Sequence, residues 1–359
     1  MGELSKAAAK LVDDQHANEV ASLRAEVARE RSRADSLAAE VAQLRRTEDL
    51  SAAVQSVKLS PPKWAKPTTK KSAAKRATAC LLVSDVHYQE VVDPRQIGGI
   101  GAYSSDIAAQ RMQRVFADGI KLAREYSGDL AFDGAVVALN GDLLTGVIHD
   151  ELAETNDQPM FPALIGIAEI LCAGIEQWAD AFGSVLVPCE WGNHGRMGQK
   201  KKHKNAAGEN FDWMVAQMVE AHFKNDPRVE VRHTLSPHLV FQVYGTRFLL
   251  THGNHGVGSA SGQGWGGAFV SIGRMLSKIR AQLSATGVEW DVALIGHWHT
   301  FHATAGLIAN GTPKGPDEWS TQMGFVPEEP SQTLFLVTPE HGVTDVRRVF
   351  CADRAAEGW

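Results

Sequence analysis

Ala-Leu-Ile-Gly-His-Trp-His-Thr-Phe, residues 293–301, runs from an apolar segment through a glycine into two histidines two residues apart. The apolar part has the character of a buried strand, and the glycine ends it. On an extended chain residues i and i+2 point the same way, so His297 and His299 are expected to reach one place while Trp298 turns away to pack. A short segment can present two metal ligands in this manner. Isolated histidine pairs are often ordinary polar residues, so the reading depends on what accompanies the pair elsewhere in the chain.

At 359 residues, 44% of them hydrophobic, the chain is long enough for one large or two ordinary domains with a sizeable core. Cys80, Cys172, Cys189 and Cys351 lie far apart with no Cys-x-x-Cys pair, which argues against a disulfide framework or a thiolate zinc site. A reducing, cytoplasmic setting is expected. The N-terminus lacks the apolar core of a signal peptide, and no uncharged apolar run nears the ~20 residues of a membrane span, so no membrane association is expected. The net charge of −6 argues against a uniformly basic nucleic-acid coat but says little about local patches.

Between Glu19 and Arg46 a seven-residue repeat puts Val20, Val27, Ala34 and Val41 at one seam position and Leu23, Glu30, Leu37 and Leu44 at the other. Glu19 with Arg24, Glu26 with Arg31 and Glu40 with Arg45 have the spacing that sets opposite charges across a parallel two-stranded coiled coil. Ser51 to Ser84 has no acidic residue but carries Lys58, Lys63, Lys66, Lys70, Lys71, Lys75 and Arg76, with Pro61, Pro62 and Pro67 breaking any helix. The expected organisation is a coiled-coil helix over residues 1–50 that makes a homodimer, a basic linker over 51–77, and a globular domain over 78–359.

Within that domain strands alternate with helices, the pattern of an α/β architecture. Strands are expected at Cys80–Val83, Ala135–Leu139 and Val185–Pro188, with a hairpin formed by His238–Tyr244 and Arg247–Leu250. Helices are expected over Ser105–Tyr126, Ala163–Phe182, Phe211–Phe223 and Phe269–Leu283. Each strand runs into polar residues suited to metal: Asp85 and His87, Asp142, Asn193 and His194, His252, then His297 and His299. Open α/β sheets bind ligands beyond the carboxyl ends of their strands, and clustered buried carboxylates become tolerable when cations compensate them. Imidazoles, carboxylates and one amide without thiolates suit Mn²⁺, Fe or Zn²⁺. Two such ions clamp the attacking and leaving oxygens of a phosphoryl displacement.

Asp85-Val-His87, Gly141-Asp142, Gly192-Asn193-His194, Thr251-His252-Gly253 and Gly296-His297-Trp-His299 together resemble the five ordered motifs of calcineurin-like metallophosphoesterases, over roughly Cys80 to Val349. The resemblance implies a four-layer fold, two packed β-sheets flanked by helices. It implies one metal held by Asp85, His87, Asp142 and His299 and a second held by Asp142, Asn193, His252 and His297, so that Asp142 bridges. His194 would then be the general acid for the leaving oxygen. Family members commonly carry an acid after the Asn-His pair, where this chain has Gly195, which leaves the orientation of His194 open. Gly-Asn-His-Gly recurs at Gly253–Gly256, which offers His255 as a competitor or substrate residue.

The substrate is less legible. Arg196, Lys200, Lys201, Lys202 and Lys204 form a basic loop after His194 that could track a polynucleotide backbone or simply be solvated. Tyr88 and Trp191 could stack on a base or belong to the core. The leading expectation is a dimanganese-type phosphodiesterase acting on DNA or RNA, similar to the nuclease subunits of double-strand-break repair. The alternatives are a phosphatase or cyclic-nucleotide phosphodiesterase, and a non-catalytic coiled-coil scaffold with a structural metal. Gln89–Ala102 could form a lid, and Asn310–Glu329, rich in Gly, Pro and charge, could shape the cleft.

Overall fold

The run Ala77–Val83 is almost continuously apolar, as a strand covered on both faces must be, and it forms β1 (Arg76–Val83) inside the first sheet. The computed structural model describes residues 75–255 and 265–359, with Arg29, Arg31 and Arg33, which are helical and exposed; of 265–269 only the backbone is described. The expected coiled coil, nearly all of the basic linker and the Gly-rich segment 256–264 lie outside these residues. The chain divides into two compact units, Met1–Lys58 and Leu59–Trp359, and both β-sheets belong to the second.

After β1 come α1 (Ser105–Glu125), β2 (Ala131–Asn140), α2 (Asp150–Thr155), α3 (Met160–Phe182), β3 (Val185–Glu190), α4 (Phe211–Phe223) and β4 (Val229–His233). Next along the chain are β5 (Leu239–Val243), β6 (Thr246–Leu250), α5 (Trp265–Ser284), β7 (Val292–Ile295), β8 (His302–Thr304) and β9 (Leu307–Ala309). The chain closes with α6 (Glu318–Gln322), β10 (Ser331–Thr338), β11 (Gly342–Phe350) and α7 (Arg354–Glu357). A six-stranded sheet has the order β11-β10-β1-β2-β3-β4, with β1 to β4 parallel, and a five-stranded sheet has the order β5-β6-β7-β9-β8.

Alternation along the strands sorts the side chains into layers. Ala79, Leu81 and Val83 of β1 pack with Met112 and Phe116 of α1 and Ile167, Leu171 and Trp178 of α3. Their neighbours Cys80 and Leu82 face Phe241, Phe248, Leu250 and Leu294 of the second sheet. The far face of that sheet, through Leu249, Ala293 and Ile295, packs against Ile272, Met275 and Ile279 of α5. The result is a mixed α/β structure of helices, sheet, sheet and helix. All four cysteines are buried and unbridged. Among the described residues α3 alone is long and apolar enough to cross a membrane by composition, but here it is a core helix with eleven buried residues.

Several elements differ from their expected extents. β1 starts at Arg76, which pairs with Asp133 at 2.6 Å and so belongs to the sheet and not to the basic linker. β3 continues past Pro188: pairing with β2 is interrupted there and resumes at Leu139–Cys189 and Asn140–Glu190. Strands β4 and β8 to β11 were not foreseen. Those of three residues are too short to show a period, and β11 mixes charged and apolar positions because it is an edge strand.

Candidate metal centre

β1, β2 and β3 of the first sheet, and β6 and β7 of the second, each end just before one of the polar motifs. Three groups of side chains converge there. Asp85, His87 and His299 form one; Asp142, His252 and His297 a second; His87, Asp142 and His194 a third between them, with the ligand atoms of each group within 4.8 Å of one another. Nε2 of His87 lies 3.1 Å from Nε2 of His299, and Nε2 of His299 lies 3.4 Å from Oδ1 of Asp85. On the other side Nε2 of His252 lies 2.9 Å from Oδ2 of Asp142.

His297 and His299 do not reach a single place by strand alternation. β7 stops at Ile295, both residues adopt left-handed backbone (φ +67° and +53°), and each turns to a different group. Asp85, His87 and Asp142 share this conformation, so five of the eight positive-φ non-glycine residues described are candidate ligands. Such backbone costs on the order of 1–3 kcal/mol per residue and persists only where surrounding contacts enforce it. Those contacts are present. Asp85 accepts from Ser84 Oγ at 2.5 Å and from the His297 N–H at 2.8 Å, and Asp142 Oδ1 accepts from the His194 N–H at 2.7 Å. Asp212, at the start of α4, accepts from the N–H groups of Asp142 (2.9 Å), Leu143 (3.1 Å) and Gly192 (2.9 Å), which ties two strand-end loops together.

Gly192 is confined by this packing, since a Cβ there would sit 2.1 Å from Asp142 Oδ1. At Gly195 a Cβ would meet Asn210 Oδ1 at 2.4 Å, which explains why no acid can follow the Asn-His pair. The orientation of His194 comes instead from the Thr145 carbonyl, 2.9 Å from Nδ1. That contact places the proton on Nδ1 and leaves Nε2 for chemistry. The Asn140 carbonyl, 2.8 Å from Nδ1 of His252, fixes that ring in the same way.

Charge balance favours a cation. Asp142 and Asp85 are buried, which raises a carboxyl pKa, yet both are held below their ordinary value, Asp142 by His252 and His194 and Asp85 by His299. Burial lowers His252, but Asp142 outweighs it and lifts the imidazole to about 10. Burial and the neighbouring His252 push His297 down to about 3. Burial likewise lowers His87 and His194. Two buried carboxylates thus hold positive charge on one imidazole while other imidazoles stay neutral, the form that binds metal. Nε2 of His252 and Oδ1 of Asn193 are buried without a hydrogen-bond partner. The unpaired Asn193 oxygen, the two carboxylates and the neutral imidazoles fit divalent cations, and a bound ion would displace the proton that His252 carries.

The residues expected to meet substrate are placed differently. Lys200, Lys201, Lys202 and Lys204 are exposed, and Lys202 pairs with Glu209. The Arg196 guanidinium is spent on its own loop, donating to the carbonyls of Asn193 (3.1 Å), Gly198 (2.9 Å) and Gln199 (2.9 Å). Tyr88 is buried in the helix-side core and Trp191 is buried, so neither has a free face on which a base could stack. His255 stands apart from the three groups, edge-on to Trp191 and 5.5 Å from the His238 ring. Glu90, Thr145, Asp212 and Lys314 were not foreseen. They are single polar residues with no motif around them.

No protein-family model matches the chain, and no curated protein does. Among solved structures it is similar to the sulfate thiohydrolase SoxB of Thermus thermophilus, in complex with glycerol, at 10% identity and a TM-score of 0.27, over 78% of this chain and 57% of that one. It is also similar to a dimetal phosphatase from Danio rerio at 11% identity and a TM-score of 0.31, over 77% of this chain and 99% of that one. At such identity and overlap neither likeness bears on which residues act or on what substrate.

Proposed function

We propose that this chain is a phosphoric ester hydrolase dependent on two divalent metal ions, Mn²⁺ foremost with Fe or Zn²⁺ as alternatives, and that it acts on the phosphodiesters of DNA or RNA. The carrying observation is the pair of adjacent groups, Asp85/His87/His299 and Asp142/His252/His297, with His194 between them. Asp142 lies in two of the three groups, which suits it to bridge, and Asn193 offers a buried unpaired oxygen. Bound ions would supply Lewis acidity toward the phosphoryl group and lower the pKa of water. The chain's own part is to hold these donors in strained, water-poor loops and to aim His194. With Nδ1 committed to Thr145, His194 offers Nε2 to the leaving oxygen, and negative phosphate charge beside the ring favours its protonated, donating form.

The exposed Lys200, Lys201 and Lys204 beyond His194 support a polyanionic substrate. The self-satisfied Arg196 and the Lys202–Glu209 pair favour the second reading, a phosphomonoesterase or cyclic-nucleotide phosphodiesterase on a small substrate. Mn²⁺-dependent hydrolysis of bis-p-nitrophenyl phosphate, p-nitrophenyl phosphate and labelled DNA separates them, with His194→Ala and Asp142→Asn as controls. Cleavage of diester and DNA, impaired in both variants, supports the nuclease. Turnover of the monoester alone supports the second reading, and no hydrolysis despite bound metal sinks both. We also propose that residues 1–50 make a homodimer, which an unchanged mass by light scattering after their removal would refute.

A further inference from the structure

The loop from Asn310 to Pro330, between β9 and β10, carries a lysine where a lysine should be costly. Lys314 is 5% exposed, and its Nζ donates to Glu90 Oε1 at 2.7 Å and to Asp317 Oδ2 at 2.5 Å. Burial works against its charge, but the two carboxylates outweigh it and raise its pKa. The loop is held in place independently. The buried Arg111 guanidinium of α1 donates to the carbonyls of Pro313 and Lys314, both at 2.7 Å, and Thr312 Oγ1 donates to the Asp85 carbonyl at 2.8 Å. A buried ion pair is weak evidence for stability alone, since its desolvation offsets its attraction. Its position must be explained by what Glu90 does.

Glu90 is also buried, and while Oε1 takes Lys314, Oε2 faces Nδ1 of His87 at 3.6 Å. With Nε2 of His87 given to the proposed metal, the ring's proton belongs on Nδ1, and that buried nitrogen has no hydrogen-bond partner. The other donor near Oε2 is the Thr145 hydroxyl at 3.2 Å, whose single proton has a closer acceptor in the His87 carbonyl at 2.9 Å. A donor without a partner therefore faces a carboxylate oxygen that has a lone pair to spare.

We propose that Glu90 is a positioning residue that orients His87 as a ligand, and that Lys314, delivered by the Asn310–Pro330 loop, holds Glu90 against it. This rests on the proposed metal centre. The effect falls first on the Asp85/His87/His299 group, because Glu90 faces His87 and neither Glu90 nor Lys314 has a hydrogen bond or ion pair with Asp142, His252 or His297 among the described residues. Outer partners that fix a ligating imidazole typically govern metal affinity by about 10–100-fold.

Calorimetric titration with Mn²⁺, alongside thermal melts in chelator, tests the proposal on the full chain. The wild type is expected to take up two ions. Glu90→Gln is expected to weaken one by about 10–100-fold and leave the other unchanged, and Lys314→Met to weaken the same one. Because Lys314→Met strands the carboxylates of Glu90 and Asp317 and can unfold the chain, the double variant Glu90→Gln/Lys314→Met, which also removes the Glu90 charge, is measured as well. It is expected to melt above Lys314→Met but below the wild type, because Asp317 has also lost its lysine, and to bind as Glu90→Gln does. Two ions bound normally by Glu90→Gln, equal weakening of both, or normal binding restored in the double variant would overturn the proposal while leaving the metal centre standing. A wild type that binds no ion overturns the metal centre and this proposal with it.

Discussion

The strand-end centre and the basic loop that follows it are adjacent, with Arg196 bonded to the Asn193 carbonyl three residues away, yet they are built on opposite terms. In the centre, Asp85, Asp142 and His252 are essentially without solvent exposure, the backbone is left-handed at five candidate ligand positions, and the carboxylates are held by designated donors. In the loop, Lys200, Lys201 and Lys204 are exposed, and the arginine is used to shape the loop itself. Chemistry needs fixed geometry in a low dielectric, whereas capture of a polyanion needs only charge that can follow it. Substitutions in the centre should therefore act on every substrate alike, and substitutions in the loop on polymers alone.

The largest expected effect is that of Asp142→Asn. Removing the shared carboxylate should lower turnover of bis-p-nitrophenyl phosphate and DNA equally, on the order of 10³-fold or more, with fewer ions bound by titration. His194→Ala should cost on the order of 10²–10³-fold in kcat while metal uptake persists, which separates proton transfer from ligation. Gly192→Ala forces a Cβ against Asp142 and should destabilise the fold by about 1–3 kcal/mol, read as a lower melting temperature. Lys200, Lys201 and Lys204 changed together to Glu should raise KM for DNA several-fold and flatten its salt dependence, with the small diester untouched. An equal loss on both substrates would erase the distinction between the two regions.

The smallest effect is one of pH. Lys314 holds the partly buried Asp317 below its ordinary value near 3.8, against the opposing effect of burial. Because the folded pKa is the lower one, this carboxylate contributes stability above about pH 4 and loses it as the pH falls through its lowered pKa. Melts of Asp317→Asn and the wild type should thus differ at neutral pH and converge in acid; a constant difference would show that charge is not the cause.

Legibility followed distance along the chain. Asp85 after Leu81–Val83, Asp142 after Val136–Leu139 and His297 after Ala293–Ile295 each stand where a short apolar run meets a turn, a pattern complete within about eight residues. The assumption that His297 and His299 point alike failed for a local reason, because the strand ends before them and left-handed backbone redirects each. Tyr88 illustrates the converse: its place beside Asp85 and His87 suggested the site, while packing against Gly166 of α3 put it in the core.

By itself the sequence determined which polar residues close each strand, because hydrophobic periodicity and turn chemistry are properties of neighbours in the chain. Only the tertiary structure decided what holds them. Asp212 reaches Asp142 across 70 residues because the sheet order sets β3 beside β2, and Lys314 reaches Glu90 across 224 because it sets β10 beside β1 and brings its preceding loop against the end of β1. A buried charge finds its partner through the order in which strands assemble, and no spacing in the chain records that order.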